Sequence, residues 1–192
     1  MSDSLPVEIQ RRIQSFANNY LRLPRPAGWS FVTSEGGEVS ISFPETKIGA
    51  VATGGRVHVE KDGTNQVHKL NYAGIGGSLG LQLVPSPINF TFSLTQMPSF
   101  GVVYTGPLTG RALTLNEFYG PCLMYEASAQ AGPGWGGVLM FMGASRMASL
   151  APLALQPPAI LLSCRAIVAF QGASATVLPG GFGGAVALCE IF

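Results

Sequence analysis

Beyond Lys69 this chain carries only six charged side chains in 123 residues: Arg111, Glu117, Glu126, Arg146, Arg165 and Glu190. The first 69 residues hold the other 15 of the 21. A water-exposed fold normally keeps roughly 25–35% of its surface charged, because charge is what keeps it dissolved. A long stretch with so few charges must hide its surface, pair it with another protein, or place it in lipid. The formal net charge is +1 and the Lys and Arg residues form no cluster. That excludes a nucleic-acid partner, which needs grouped cations to displace counterions from phosphates.

A length of 192 residues suits one domain with an arm. The arm is residues 1–26, an amphipathic helix and linker; residues 27–192 form a single Gly-rich, charge-poor domain. Ser4 caps a helix over 4–21, Pro6 fits its first turn, and Leu5, Ile9, Ile13, Phe16 and Tyr20 make one apolar stripe. That stripe reads either as a helix docked on the core or as one that seeks a surface or partner.

From Trp29 onward the hydrophobic period changes to two. Val39, Ile41 and Phe43 alternate with Ser40 and Ser42, a half-buried strand. Val57 and Val59, a turn at Lys61–Asn65, and the run from Val67 to Tyr72 make a hairpin. Ile88, Phe90, Phe92 and Leu94 alternate with Asn89, Thr91, Ser93 and Thr95, so an uncharged polar face lines one side of that strand. Val102–Thr105 reads as a further short strand. Thr114-Leu-Asn-Glu117 fits a capping box before a short helix that stops at Gly120-Pro121. Gly132-Pro-Gly134 joins strands over 123–131 and 135–142, and Leu178–Gly181 joins strands over 166–177 and 182–192. The fold class is therefore α+β and mainly antiparallel β in the water-soluble form, sandwich or barrel-like, with the N-terminal helix appended.

The same region admits a second reading. Charge-free windows over 127–145, 147–164 and 166–189 have the ~17–25-residue lengths of membrane-crossing helices. Prolines 152, 157, 158 and 179 interrupt two of them, unlike a constitutive transmembrane protein. Small residues recur at four-residue spacing: Gly76 with Gly80, Gly132 with Gly136, and Gly172, Thr176, Gly180 and Gly184. On helices such rows allow close packing in lipid. On strands glycines mark bulges and tight bends. Storage in a β form followed by rearrangement of the C-terminal part at a bilayer reconciles the two.

These rows and windows resemble glycine-zipper pore-forming toxins, most of all small pore-forming effectors of bacterial type VI secretion. The resemblance covers residues 70–192 and implies a membrane-permeabilising antibacterial toxin. It further implies cytoplasmic storage in the producer, delivery through a secretion-tube carrier, and action from the target's periplasm on its inner membrane and membrane potential. The implied partners are that lipid bilayer, the carrier, a cognate immunity protein and further copies of the chain. The opening Met1–Pro6 lacks the basic and apolar regions of a secretory signal, in keeping with such a route. The alternative is a soluble β-rich structural module that binds a lipid or protein.

No familiar catalytic constellation emerges, and the expectation is neither an enzyme nor a cofactor- or metal-binding protein. His58 and His68 flank the predicted turn, within reach of each other across two strands, and Glu60 and Asp62 sit in or beside the solvated turn. Gly76–Gly80 spells a G-x-S-x-G around Ser78, but no histidine follows it. Glu117 and Glu126 are the sole acids between 70 and 189 from which a carboxylate pair could come. Cys122, Cys164 and Cys189 match no metal spacing and read as buried thiols.

Overall fold

The alternating stretches become strands in the computed structural model. It describes residues 25–43, 48–82, 88–93, 99–107, 109–130, 133–151, 155–176 and 181–192. The amphipathic helix expected over 4–21 lies outside these residues. The strands are β1 (Trp29–Phe43), β2 (Ile48–Lys61), β3 (Gln66–Gln82), β4 (Ile88–Ser93), β5 (Ser99–Thr105), β6 (Gly120–Gln130), β7 (Pro133–Met142), β8 (Ala166–Thr176) and β9 (Gly181–Ile191). Two short helices, α1 (Arg146–Ser149) and α2 (Gln156–Ser163), and a 3-10 turn over Leu115–Phe118 complete the elements. Among the described residues no helix is long and apolar enough to cross a membrane.

All neighbours pair antiparallel, in the order β4-β1-β2-β3-β9-β6-β7-β8-β5. The sheet curls back on itself. β4 pairs with β1 along Gly36–Ile41, and with β8 through Thr91↔Thr176 and Phe92↔Ala175. β5 pairs with the rest of β8. β4 and β5 thus share the eighth stave of a nearly closed, eight-staved barrel. Of sandwich and barrel, the structure adopts the barrel.

Local chemistry explains the turns. The β2–β3 hairpin reverses where Gly63 and Asn65 take φ +78 and +54, the left-handed region those residue types tolerate. Thr114 and Glu117 frame the 3-10 turn, with the Thr114 backbone N–H donating to Glu117 Oε2 at 2.8 Å. The chain order is less local. β8 and β9 follow each other in sequence but do not pair, because β9 inserts between β3 and β6. A short-range reading of Leu178–Gly181 cannot foresee that.

One end of the barrel is filled. Trp29, Val57, Val59, Leu70, Met140, Met142 and Val168 are all buried there. The loop after β5 brings Leu113 and Phe118 over this end. Trp29 Nε1 donates to the Leu113 carbonyl at 2.8 Å, and the Trp29 and Phe118 rings meet edge to face with centroids 5.4 Å apart. Each such large side chain contributes ~1.5–3 kcal/mol by leaving water. Outside the wall, α1 and α2 cover Leu123 with Ala144, Ala148 and Ile160 to form a second small core. Ser145 caps α1 by accepting from Met147 N–H, and prolines occupy the start of α2, where their missing donors are not needed.

Candidate functional site: a polar interior inside an apolar belt

Beyond that filled end the alternation runs opposite to a soluble barrel. On β1 the expected strand is present but turned over. Val39 and Ile41 point outward, 38% and 48% exposed, while Glu38 and Ser40 occupy the inner face. The same holds on neighbouring staves. Ile75 of β3 is 73% exposed, whereas Gly74, Gly76 and Ser78 hold the inward positions. Val186 of β9 points out between buried Ala185 and Ala187. Phe100 and Val102 of β5 are likewise exposed. Asn89, Thr91 and Ser93 of β4 pair in register with Ser40, Glu38 and Gly36 of β1.

On the outer wall of β5, β6, β7 and β8 the belt deepens into an open groove of about 870 Å³. Phe100, Val102, Tyr125, Ala127, Leu139 and Ala169 line it, with Gln171 as its polar edge.

Inside, a polar layer sits directly on the apolar filling. Tyr72 of β3 lies across the inner wall, its hydroxyl over Gly36 and Gly55. A Cβ added at either glycine would come within 2.6 and 2.9 Å of that oxygen, so a side chain there would evict the ring. Thr53 of β2 hydrogen-bonds to the Tyr72 hydroxyl. Glu38 of β1 hydrogen-bonds to Glu126 of β6, carboxyl to carboxyl. The other Glu38 oxygen, Oε2, is buried without a hydrogen-bond partner among the described residues. β1 and β6 are four staves apart by either route round the barrel, so the two acids reach toward each other from opposite walls.

At the filled end a different carboxylate ties down the covering loop. Glu117 accepts from both guanidinium nitrogens of Arg111 at 2.9 Å and lies 3.4 Å from Arg165. Partial burial acts to raise its pKa. The Thr114 backbone donor, the Arg111 and Thr114 side-chain hydrogen bonds and the Arg111 charge outweigh this and hold it below the usual carboxylate value. The acids between 70 and 189 therefore do not pair with one another. Glu117 takes arginines and Glu126 takes Glu38.

The other residues singled out from sequence fall as follows. Gly76 and Gly80 lie on β3, Gly136 on β7, Gly172 and Thr176 on β8, and Gly184 on β9; Gly132 and Gly180 lie outside the described residues. All six described positions are on strands. Four-residue spacing keeps one face of a strand just as it does on a helix. Register places Gly76, Gly136 and Gly172 on the inner face, and Gly184 on the outer. Gly76 also permits close stave contact, since a Cβ there would meet the Val186 carbonyl and come 2.6 Å from Ala187 Cα. His58 and His68 do not come together, because Val59 faces His68 while His58 faces Lys69, placing them on opposite faces of the hairpin. His68 packs edge-on against Trp29, and His58 lies 3.6 Å from Glu35 outside. Ser78 sits within unbroken β3, with no strand-to-helix elbow. All three cysteines are free and buried, and burial pushes the Cys164 thiol up to about 12.

Sequence reasoning missed Glu38, Tyr72 and Thr53. Two signals bore on them: Glu38 shares the phase of Ser40 and Ser42, and Glu126 stands as a lone acid in an uncharged stretch.

Fold and site together define an antiparallel β-barrel with a polar interior half inside an apolar outer belt. The chain is similar to Toxin protein Tse4 of Pseudomonas aeruginosa, 28% identical over 156 residues that make up 69% of this chain and 76% of that protein. No family model matches it, and no solved structure matches it.

Proposed function

We propose that this protein is an antibacterial toxin, delivered by type VI secretion, that permeabilises a target cell's inner membrane by laying the outer belt of its barrel against lipid. The observation that carries this reading is the reversed alternation over the unfilled half, with Val39, Ile41, Ile75 and Val186 outside and Glu38, Ser40, Thr53 and Ser78 inside. Lipid offers no hydrogen bonds, so a spanning structure must satisfy its own backbone, which a nearly closed antiparallel sheet does along its paired staves. Strands of about 9–11 residues suffice to cross when tilted, and transmembrane barrels alternate apolar-out with polar-in. β6, β8 and β9 have 11 residues each, and β1, β2 and β3 have 15, 14 and 17, longer because they also wall the filled end. Similarity to a protein named as a toxin supports the biological role.

In this account strands, rather than the helices that the small-residue rows suggest, meet the membrane. The glycines serve the inner wall and stave contacts. An immunity protein in the producer would bind the belt and keep it from lipid. The test is potassium-loaded anionic vesicles under an imposed potential. Addition of the purified chain collapses the potential, whereas an intact potential at micromolar protein refutes the proposal and leaves the soluble lipid- or protein-binding module.

A further inference from the structure

The two ends of the barrel differ in charge. The β2–β3 turn, the loop after β5 and the connection that holds α1 and α2 all lie at the filled end, as strand direction requires. Asp62, Arg111, Glu117, Arg146 and Arg165 stand in these connections. On the outer wall of the long staves, charge stops short of the other end. Glu35 of β1 meets Arg56 of β2 at 3.2 Å, and the last outward charges of β3 and β9 on that side are Lys69 and Glu190. Past these, toward the unfilled end, the described outward positions include Val39, Ile41, Ala52, Ile75, Gly77 and Val186, and none is charged. Among the described residues, only Glu38 and Glu126 carry charge on that half, and they turn to the interior. A charge on the lipid-facing side is tolerated near the membrane surface and costs most at mid-depth. The outer wall can therefore enter lipid from one end only.

A second feature marks the filled end. α1 and α2 leave it and fold back outside the wall over Leu123. Met147, Leu150, Leu155 and Leu162, on and between these helices, are each more than half exposed. Soluble surfaces scatter such residues singly, and a group of them marks an interaction site. The group adjoins the belt, because Tyr125 packs against the small core beneath the helices and also lines the outer groove. Short helices with an apolar side lie in the membrane interface rather than across it.

We infer that the barrel enters a bilayer with its unfilled end leading and its filled end left in water, and that the α1–α2 pair rests on the lipid surface as a shoulder that limits the depth. Lipid is the occupant because the helix patch is continuous with an uncharged belt present on stave after stave. A protein partner covers one side of a barrel, whereas a bilayer surrounds it. The Glu35–Arg56 pair, Lys69 and Glu190 then keep their water, and no outward charge of the described wall crosses the hydrocarbon.

This inference rests on the permeabilising reading, and the experiment separates their failures. β3 serves as a ruler, since Lys69, Ala73 and Gly77 are outward positions of one strand, with ~26 Å of strand between the first and the last. Single cysteines at these positions and at Leu150 are placed in the full chain and labelled with a polarity-sensitive fluorophore. The proteins are mixed with anionic vesicles whose acyl chains carry bromine at shallow or deep positions. Iodide is expected to reach the label at 69, shallow bromine to quench those at 73 and 150, and deep bromine to quench the one at 77. Should Gly77→Cys fail to fold by circular dichroism, Ile75→Cys takes its place with the same expectation. The reverse order along β3, or one depth for all three labels, overturns the leading end. For the shoulder, Met147→Glu/Leu150→Glu is expected to lower vesicle affinity by ~10-fold or more, since each loses an apolar side chain to lipid. A folded double variant that binds within threefold of wild type, or a label at 150 reached by iodide alone, overturns the shoulder and leaves the patch to a protein. Flotation and depolarisation are read on the same vesicles. A chain that depolarises them with the wrong depth order sinks this inference alone, and one that neither floats nor depolarises removes the permeabilising reading with it.

Discussion

Ile75 is the most exposed of the large apolar side chains described on the long staves, at 73%. Replacing it with Lys asks the outer belt what it touches. In water the substitution alters an exposed strand position with no buried partner, so stability should move by no more than ~0.5 kcal/mol. In a bilayer the same ammonium at mid-depth costs ~2–4 kcal/mol. With ~1.4 kcal/mol per factor of ten, insertion should fall roughly 30- to 1,000-fold. Adding Ile41→Lys on β1, two staves away, should compound the loss, since well-separated sites add. The assay is the protein concentration for half-maximal vesicle depolarisation, read beside the urea midpoint of each variant. A folded Ile75→Lys/Ile41→Lys protein that depolarises within threefold of wild type would show that the belt does not meet lipid.

Other expectations bear on the frame that holds this belt. Phe118 is fully buried against Trp29, so Phe118→Ala should cost ~3–5 kcal/mol in urea unfolding, and an unchanged midpoint contradicts the filled end. Gly76→Ala should destabilise because its Cβ has no room. Gly77→Ala, whose Cβ would have its nearest neighbour 3.7 Å away, should be neutral or stabilise by up to ~1 kcal/mol, and thermal melts that rank them the other way refute the stave contact. The Glu117 carboxylate is held below its ordinary 4.5, so its contribution is present above that pH and lost as pH falls through the lowered value. Urea stability of wild type should therefore drop more steeply below about pH 4.5 than that of Glu117→Gln, and parallel acid limbs would exclude the Arg111–Glu117 tie.

Much of the strand content was legible because alternation, turn chemistry and capping are local. Ile88–Ser93, the Asp62–Asn65 reversal and the Thr114–Glu117 turn all stand where residue type places them. The charge deficit after Lys69 also pointed to a greasy surface. The direction of alternation was not legible, since Val39-Ser40-Ile41 reads alike with either face inward. Barrel closure rests on two register pairs between β4 and β8, about 85 residues apart in sequence, for which composition offers no signal. The same distance problem hid the contact of Glu38 with Glu126. The four-residue glycine spacing could not choose between helix and strand, because four is a repeat of both a strand face and a helix face.

The central claim is that alternate residues of one stave meet lipid and polar interior. It is tested most directly by placing single cysteines at Ile41, Ile75, Ser40 and Ser78, with the three native thiols buried and unreactive, and attaching a polarity-sensitive fluorophore. On vesicles, labels at 41 and 75 should be quenched by brominated acyl chains and shielded from iodide, while labels at 40 and 78 should be reached by iodide and not by the lipid. Iodide quenching at all four sites in membrane-bound protein would contradict it.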